Sequence, residues 1–275
     1  MLKKIFVFLG VVAILSGVSI VVRNSQLKST NDTELITKTP TPSLIQTSTT
    51  IPTPTTNFLD IPVGKPVLYF YPIRTTDIIV KLGLLIHDEI TIPSYGPNGW
   101  YIRAFTDGSL KDLQPKLTNC DHIDIYRHGS EYAKKACKKN IYPYIYWTGH
   151  VPNQYPKQQY GWYVSKKDVK KFLENTLTKI GFTPTEKNDM VSYWAPKLQS
   201  IHPESNWYRI SFLQTEEVND FIPMTISPRP DTLYRIFMDY EALNDKPQQP
   251  ILPQQLVPII RDGFTVVEWG GLLEK

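Results

Sequence analysis

Cleavage of a glycosidic bond needs two carboxyl groups on opposite walls of a cleft, one protonated and one ionised. Glu268 is the acid in this chain that stands out for such a role. It lies in the run Phe264-Thr-Val-Val-Glu-Trp-Gly-Gly271, where a buried strand should carry no charge. In an extended strand Glu268 shares one face with Val266 and Phe264, while Trp269 shares the other with Val267 and Thr265. Both faces are apolar. A carboxylate there must meet a cation, accept backbone hydrogen bonds, be protonated, or emerge into a cleft. Arg103, Arg209, Arg235 and Lys65 are the strand or near-strand cations that would serve. Asp231 or Asp239 would complete a catalytic pair, and Gly270 and Gly271 would admit a ligand or a second backbone. Asp231, however, sits between Pro230 and Thr232, a setting that suits a turn in which the carboxylate bonds backbone N–H groups.

Other chemistry is sparse. A P-loop, a glycine-rich dinucleotide fingerprint, HExxH and GxSxG are all absent. His150, just after Trp147, is the histidine best placed near a site. Trp147, Trp162, Trp194, Trp207 and Trp269 are large enough to line a carbohydrate or peptide groove, or to fill a core; Trp147, His150 and Trp269 are the ligand-binding candidates. Cys120 and Cys137 share one polar segment, and their spacing with His122 and His128 matches none of the usual zinc patterns. The expectation is a disulfide, with no metal and no cofactor. The five lysines at 166, 167, 170, 171 and 179 lie off an apolar stripe and read as a solvated helix face.

The elements that must position these residues begin near Phe58. Lys65 to Pro72, Thr76 to Leu84, Glu89 to Ile92 and Gly99 to Leu110 have strand composition, the last ending in an Asp107-Gly108 turn. Ile141 to Trp147 and Gly161 to Val164 follow the cysteine segment, itself read as an inserted loop. Val169, Phe172, Leu173, Thr176, Leu177 and Ile180 then fall on one helical stripe, with Ser165 to Asp168 as a capping box and Gly181 as the stop. Thr185 is placed as the cap of a second helix bearing Met190, Val191, Trp194 and Leu198. Trp207 to Leu213, Phe221 to Ile226, Leu233 to Tyr240 and Phe264 to Trp269 complete the β set. Helices that cluster and do not alternate with strands predict an α+β fold: mainly an antiparallel sheet or sandwich with a two-helix layer.

The first 57 residues differ in kind. Two lysines precede an uncharged, mostly apolar run from Ile5 to Val22, about 27 Å long as a helix, which predicts an uncleaved transmembrane anchor over residues 1–23. Ser29 to Asn57 holds eleven Thr, four Pro and three Ser, so residues 24–57 read as a disordered, Thr/Pro/Ser-rich linker. The charge bias across the anchor, the stalk and the cysteine pair together place the globular segment, 58–275, outside the cytoplasm. Residues 1–57 carry five of the 30 Lys/Arg and two of the 26 Asp/Glu. The globular segment is therefore nearly neutral, which excludes the basic excess of a nucleic-acid binder.

Lys65-Pro-Val-Leu-Tyr-Phe-Tyr-Pro72, Trp100 through Asp107-Gly-Ser-Leu110, Tyr144-Ile-Tyr-Trp147, Lys179 to Glu186 with Tyr193-Trp-Ala-Pro196, Pro230-Asp-Thr232 and Glu268-Trp-Gly-Gly271 together resemble an uncharacterised protein family. Its members share a KPVIYLYP-like opening, a YLFWE-like strand and an EWGG-like ending. The resemblance spans most of the globular segment and implies no activity, cofactor or substrate. Where the family-like strand carries Glu after Trp147, this chain has Thr148.

The resulting expectation is a single-pass membrane protein, held by Ile5 to Val22, whose extracytoplasmic domain is a binding or interaction module for a glycan or an envelope protein. A glycosidase-like envelope hydrolase using Glu268 and a second carboxylate is the alternative from another class, and a structural envelope component is the third.

Overall fold

Strands form where β-branched and aromatic residues are bounded by proline and glycine, and helices where the apolar period lengthens. The computed structural model describes residues 60–83, 87–123, 131–152 and 158–273. The expected anchor and linker lie outside these residues. No helix among the described residues is long and apolar enough to cross a membrane.

In chain order the strands are β1 (Asp60–Tyr71), β2 (Thr76–Leu82), β3 (His87–Ile92), β4 (Trp100–Ala104), β5 (Leu110–Asp112), β6 (Ile145–Pro152), β7 (Trp162–Ser165), β8 (Trp207–Leu213), β9 (Met224–Ser227), β10 (Thr232–Leu243) and β11 (Thr265–Leu272). The helices are α1 (Glu131–Lys139), α2 (Val169–Lys179), α3 (Pro184–Ser200) and α4 (Thr215–Phe221). Seven strands make one sheet in the order β3-β6-β1-β11-β10-β8-β7, and four make a second in the order β5-β4-β2-β9. Every strand pair is antiparallel except β10 with β11. The fold is α+β and mainly antiparallel, as the residue pattern predicts.

A parallel pair needs a long crossover, here residues 244–264. This proline-rich strap lies along the molecule: Gly161 N–H donates to Leu252 O, Ile259 N–H donates to Ile180 O, and the buried Gln254 bonds both N–H and C=O of Phe212.

The two faces of the large sheet separate cleanly. Leu68 pairs with Glu268 and Glu268 with Arg235, so these three share a face; Val67 and Ile236, paired with Trp269, share the other. Helix α3 covers the Trp269 face. Gly64 and Gly271 are register partners across β1 and β11, and a Cβ on either would stand 2.8 or 2.4 Å from the Trp194 ring. Two missing side chains make the bare patch on which the indole lies. Gly270 serves the other face, where a Cβ would meet the Phe237 ring at 2.8 Å.

Four local expectations change. Ser165 makes no side-chain cap; a 3-10 turn over Lys166–Asp168 leads into α2 instead. The cap of α3 is Thr183, not Thr185: Pro184 takes the first helical position, and Thr183 and Glu186 close a reciprocal capping box. The segment from Phe221 begins as the end of α4, also boxed by Gln214 and Glu217, and becomes strand only at Met224. The cysteine segment, read as a loop, contains α1. Cys120 and Cys137 stand in disulfide geometry with Cα atoms 5.5 Å apart, and Lys138 adds an ion pair to Asp121 at 3.4 Å.

Candidate functional site

Glu268 has no exposed surface, and Arg235 is the cation that meets it. The Arg235 Nε donates to Glu268 Oε2 at 2.6 Å, and Trp147 Nε1 donates to Oε1 at 3.0 Å. Arg235 Nη1 is held in turn by Asn219 Oδ1 and Ile222 O at the end of α4. Two of the remaining cations have other tasks: Arg209 serves Asp239 and Glu241, and Arg103 serves Asp77 at the surface. Asp231 caps a turn, accepting from Phe264 N–H at 2.7 Å. Neither acid is thus left to pair with Glu268, whose side chain is fully buried among the described residues.

Trp147 and Trp269 are wholly buried, and so are Trp194 and, to within 1%, Trp100. His150 is half-buried in β6. Trp162 and Trp207 are half-buried and reach hollows: Trp162, with Phe172 and Gln254, lines one of about 510 Å³ beside α2, and Trp207 lines a shallower one next to Lys166 and Asp168.

The other face of β11 leads to a site. Trp269 Nε1 donates to the Tyr69 hydroxyl at 3.3 Å, and Tyr69 donates to Asp189 Oδ2 on α3 at 2.7 Å. Two residues on, the Tyr71 hydroxyl donates to Glu186 Oε1 at 2.8 Å. Glu186 is fully buried, yet its other oxygen receives the Thr183 N–H and an Arg261 guanidinium that lies over the Tyr71 ring. These bonds fix the two tyrosine rings nearly parallel, 8° apart with centroids 6.5 Å apart. Burial, reinforced by the Asp189 and Glu186 carboxylates, raises both hydroxyls above the ordinary tyrosine range, so both act as neutral donors.

Beside these rings is a pocket of about 340 Å³, lined by Tyr69, Tyr71, the Asp107-Gly108-Ser109 turn, Ile141 to Pro143, Thr183 and Thr185. Its walls come from four separate stretches of chain, each pinned. The turn is closed by Asp107 Oδ1, which accepts from both the N–H and the hydroxyl of Ser109, and Gly108 supplies its left-handed φ of 84°. Those two bonds draw the exposed Asp107 carboxyl below the usual carboxylate range. Tyr142 exchanges both backbone hydrogen bonds with Leu110, and Ile141 N–H donates to Ala136 O in the disulfide-bearing helix. The capping box holds Thr183. The hydroxyl of Thr185 makes no hydrogen bond among the described residues, and the Asp107 carboxylate accepts from no residue of them other than Ser109 and its own backbone N–H.

Four of the stretches marked in the sequence supply this pocket or its support: β1, the Asp107 turn, Thr183 to Glu186, and Trp269. The sequence marks Thr185 only as a helix cap and does not mark Ser109 or Pro143 individually, because only the fold joins the three. No group of three or more metal-binding side chains occurs among the described residues. Comparison with protein-family models, curated proteins and solved structures finds no match.

Proposed function

We propose that this chain is a membrane-anchored, extracytoplasmic binding module that holds a saccharide in the pocket between β1, the Asp107 turn and the start of α3. The observation that carries this reading is the convergence of four chain segments on one pocket lined by two fixed, parallel tyrosines, the half-buried Tyr71 and the buried Tyr69, and rimmed by hydroxyl and carboxylate. Sugar rings offer apolar C–H faces to aromatic planes and hydroxyls to polar rims, and about 340 Å³ lies within the range of small-ligand pockets. Binding without cleavage fits the same geometry. Asp107 is the one carboxylate on the lining, while Glu186, Asp189 and Glu268 are each held by other side chains. The apolar segment from Ile5 to Val22 and the Thr/Pro stalk support a tethered position at the cell envelope.

Calorimetric titration of the full chain with envelope oligosaccharides tests the reading. Wild type is expected to bind, and Thr185→Trp, which fills the pocket from an exposed position, to abolish binding with an unchanged melting temperature. Equal binding by both proteins, or none by wild type, overturns it.

A further inference from the structure

Lys65 occupies the end of the α3–β1 seam away from that pocket, and its conformation is unusual. Its φ is 46°, in the left-handed region where a residue other than glycine or asparagine is strained. The pairing of β1 with β6 breaks between Val63 and Val67: Val63 faces Gly149 and Val67 faces Tyr146, so three β1 residues stand against Trp147 and Thr148. Such a bulge re-aims a side chain. Lys65 is turned onto α3, with its ammonium 4.9 Å from the centre of the Tyr193 ring, and Lys197 lies 5.7 Å from the same ring.

These two half-buried cations have little to neutralise them. Among the described residues, neither makes a hydrogen bond or ion pair to a carboxylate. The acid that attracts Lys65 is Asp189, whose Oδ2 already accepts from Tyr69. Burial lowers the proton affinity of both lysines below the ordinary range, with Asp189 opposing this only at Lys65. On β6, the Thr148 Oγ1 is buried without a partner among the described residues. Cations taken from water without an anion are costly, and an incoming anion offsets that cost at both.

We infer that Lys65 and Lys197, over the Tyr193 ring, form an anion-binding position, and that the ligand of this seam is an acidic saccharide bearing a carboxylate or phosphate. The class of ligand rests on the saccharide reading of the pocket; the anion position does not. Glu186, beneath Tyr71, and Lys197 are eleven residues apart on α3, on the order of 16 Å along the helix. Tyr193, the ring both lysines approach, is however only four residues, about 6 Å along α3, beyond Asp189, the partner of Tyr69, so the acidic group sits just past the Tyr69 end of the pair.

Two arms test the inference with the full chain. In the first, a uronic-acid oligosaccharide and its carboxyl-reduced, neutral counterpart are titrated against wild type, Lys65→Gly and Lys197→Gln. Glycine accepts the backbone at position 65 without strain, so Lys65→Gly keeps the fold. The acidic ligand is expected to bind wild type at least tenfold more tightly than the neutral one, and each variant to lose that preference while retaining neutral binding. Equal affinity of wild type for the two overturns the inference and leaves the pocket reading standing. The second arm needs no saccharide: acetate and inorganic phosphate are titrated while the Lys65 side-chain resonance is followed through its pH titration. A titration curve moved upward by either anion supports the position, with the stronger of the two identifying the group; a curve unmoved by both overturns it.

Discussion

Glu268 and Trp269 are neighbours in β11 and send their side chains to opposite faces of one sheet, where each starts a buried hydrogen-bonded chain. On one face Trp147, Glu268 and Arg235 run to the end of α4; on the other Trp269 and Tyr69 run to Asp189 on α3. One dipeptide thereby ties two different helices to the sheet. The charge that looked out of place in an apolar strand is half of a fully buried ion pair, and its neighbour supports the candidate site.

Removing one member of that pair leaves the other buried and uncompensated. Glu268→Ala is expected to lower unfolding stability by about 3–5 kcal/mol, whereas replacing Glu268 and Arg235 together by leucine is expected to cost far less. Urea denaturation of the two variants checks this. A mild effect of Glu268→Ala alone would mean that the pair is not the structural element described.

The paired glycines give a steric counterpart. Gly271→Ala places a methyl group 2.4 Å from Trp194, with no room on the backbone side, where Met238 O lies at 3.0 Å. Overpacking of this kind costs about 1–3 kcal/mol. Trp194→Phe is expected to restore part of the loss in the double variant, seen as a negative coupling in a double-mutant cycle on denaturation midpoints. Additive losses would separate Gly271 from the indole.

Much of this fold is legible in the residue pattern, for reasons that differ by element. Composition rich in β-branched residues marks β2, where Ile78 and Val80 are buried and Asp77, Ile79 and Lys81 are exposed. The stripe of Val169, Leu173 and Leu177 marks α2. By contrast α1 is nine residues of mostly polar sequence whose inward side is only partly apolar, and α4 is seven residues held by its capping box and by Arg235. Short helices owe their stability to tertiary contacts, which no local period reports. The partner of Glu268 was among four cations the strand pattern allowed; register alone selects Arg235. The pocket was hidden for the same reason, since Tyr71, Ser109, Pro143 and Thr185 belong to stretches joined only by the folded chain.

Alkaline pH probes the tyrosine cluster directly. Tyr69, Tyr71, Tyr146 and Tyr234 are all held protonated above the ordinary range, with burial the largest cause. An unfolded tyrosine ionises near pH ~10, so above that value the unfolded chain releases protons that the fold retains, and stability falls as pH rises. Below it the contribution is complete. Lys65 and Lys197, lowered by burial, act in the opposite sense and add stability as pH climbs toward the unfolded lysine value of ~10.4. Phenolate absorbance from the cluster is therefore expected to appear together with loss of circular dichroism, in one cooperative step. Gradual ionisation of Tyr69 in an intact fold would falsify its burial against Asp189.

The disulfide connects stability to the pocket. Cys120 and Cys137 are 17 residues apart, a loop for which cross-linking contributes about 3 kcal/mol in the chain-entropy account. Its geometry assigns a second effect. Ile141, Tyr142 and Pro143 leave α1 directly into the pocket wall, anchored by the Ile141 bond to Ala136 and the Tyr142 bonds to Leu110. Freeing Cys137 loosens α1 and, through Ala136, one wall of the site, while Tyr69, Tyr71 and the capping box of α3 stay fixed by bonds that do not involve α1. Cys120→Ser/Cys137→Ser is therefore expected to melt at lower temperature and to bind saccharide more weakly even well below its melting point, with a faster dissociation rate. Hydrogen exchange at Ile141 and Tyr142 should rise in the same variant while exchange in β1 does not. Wild-type binding kinetics alongside a lowered melting temperature would restrict the disulfide to global stability and remove α1 from the architecture of the site.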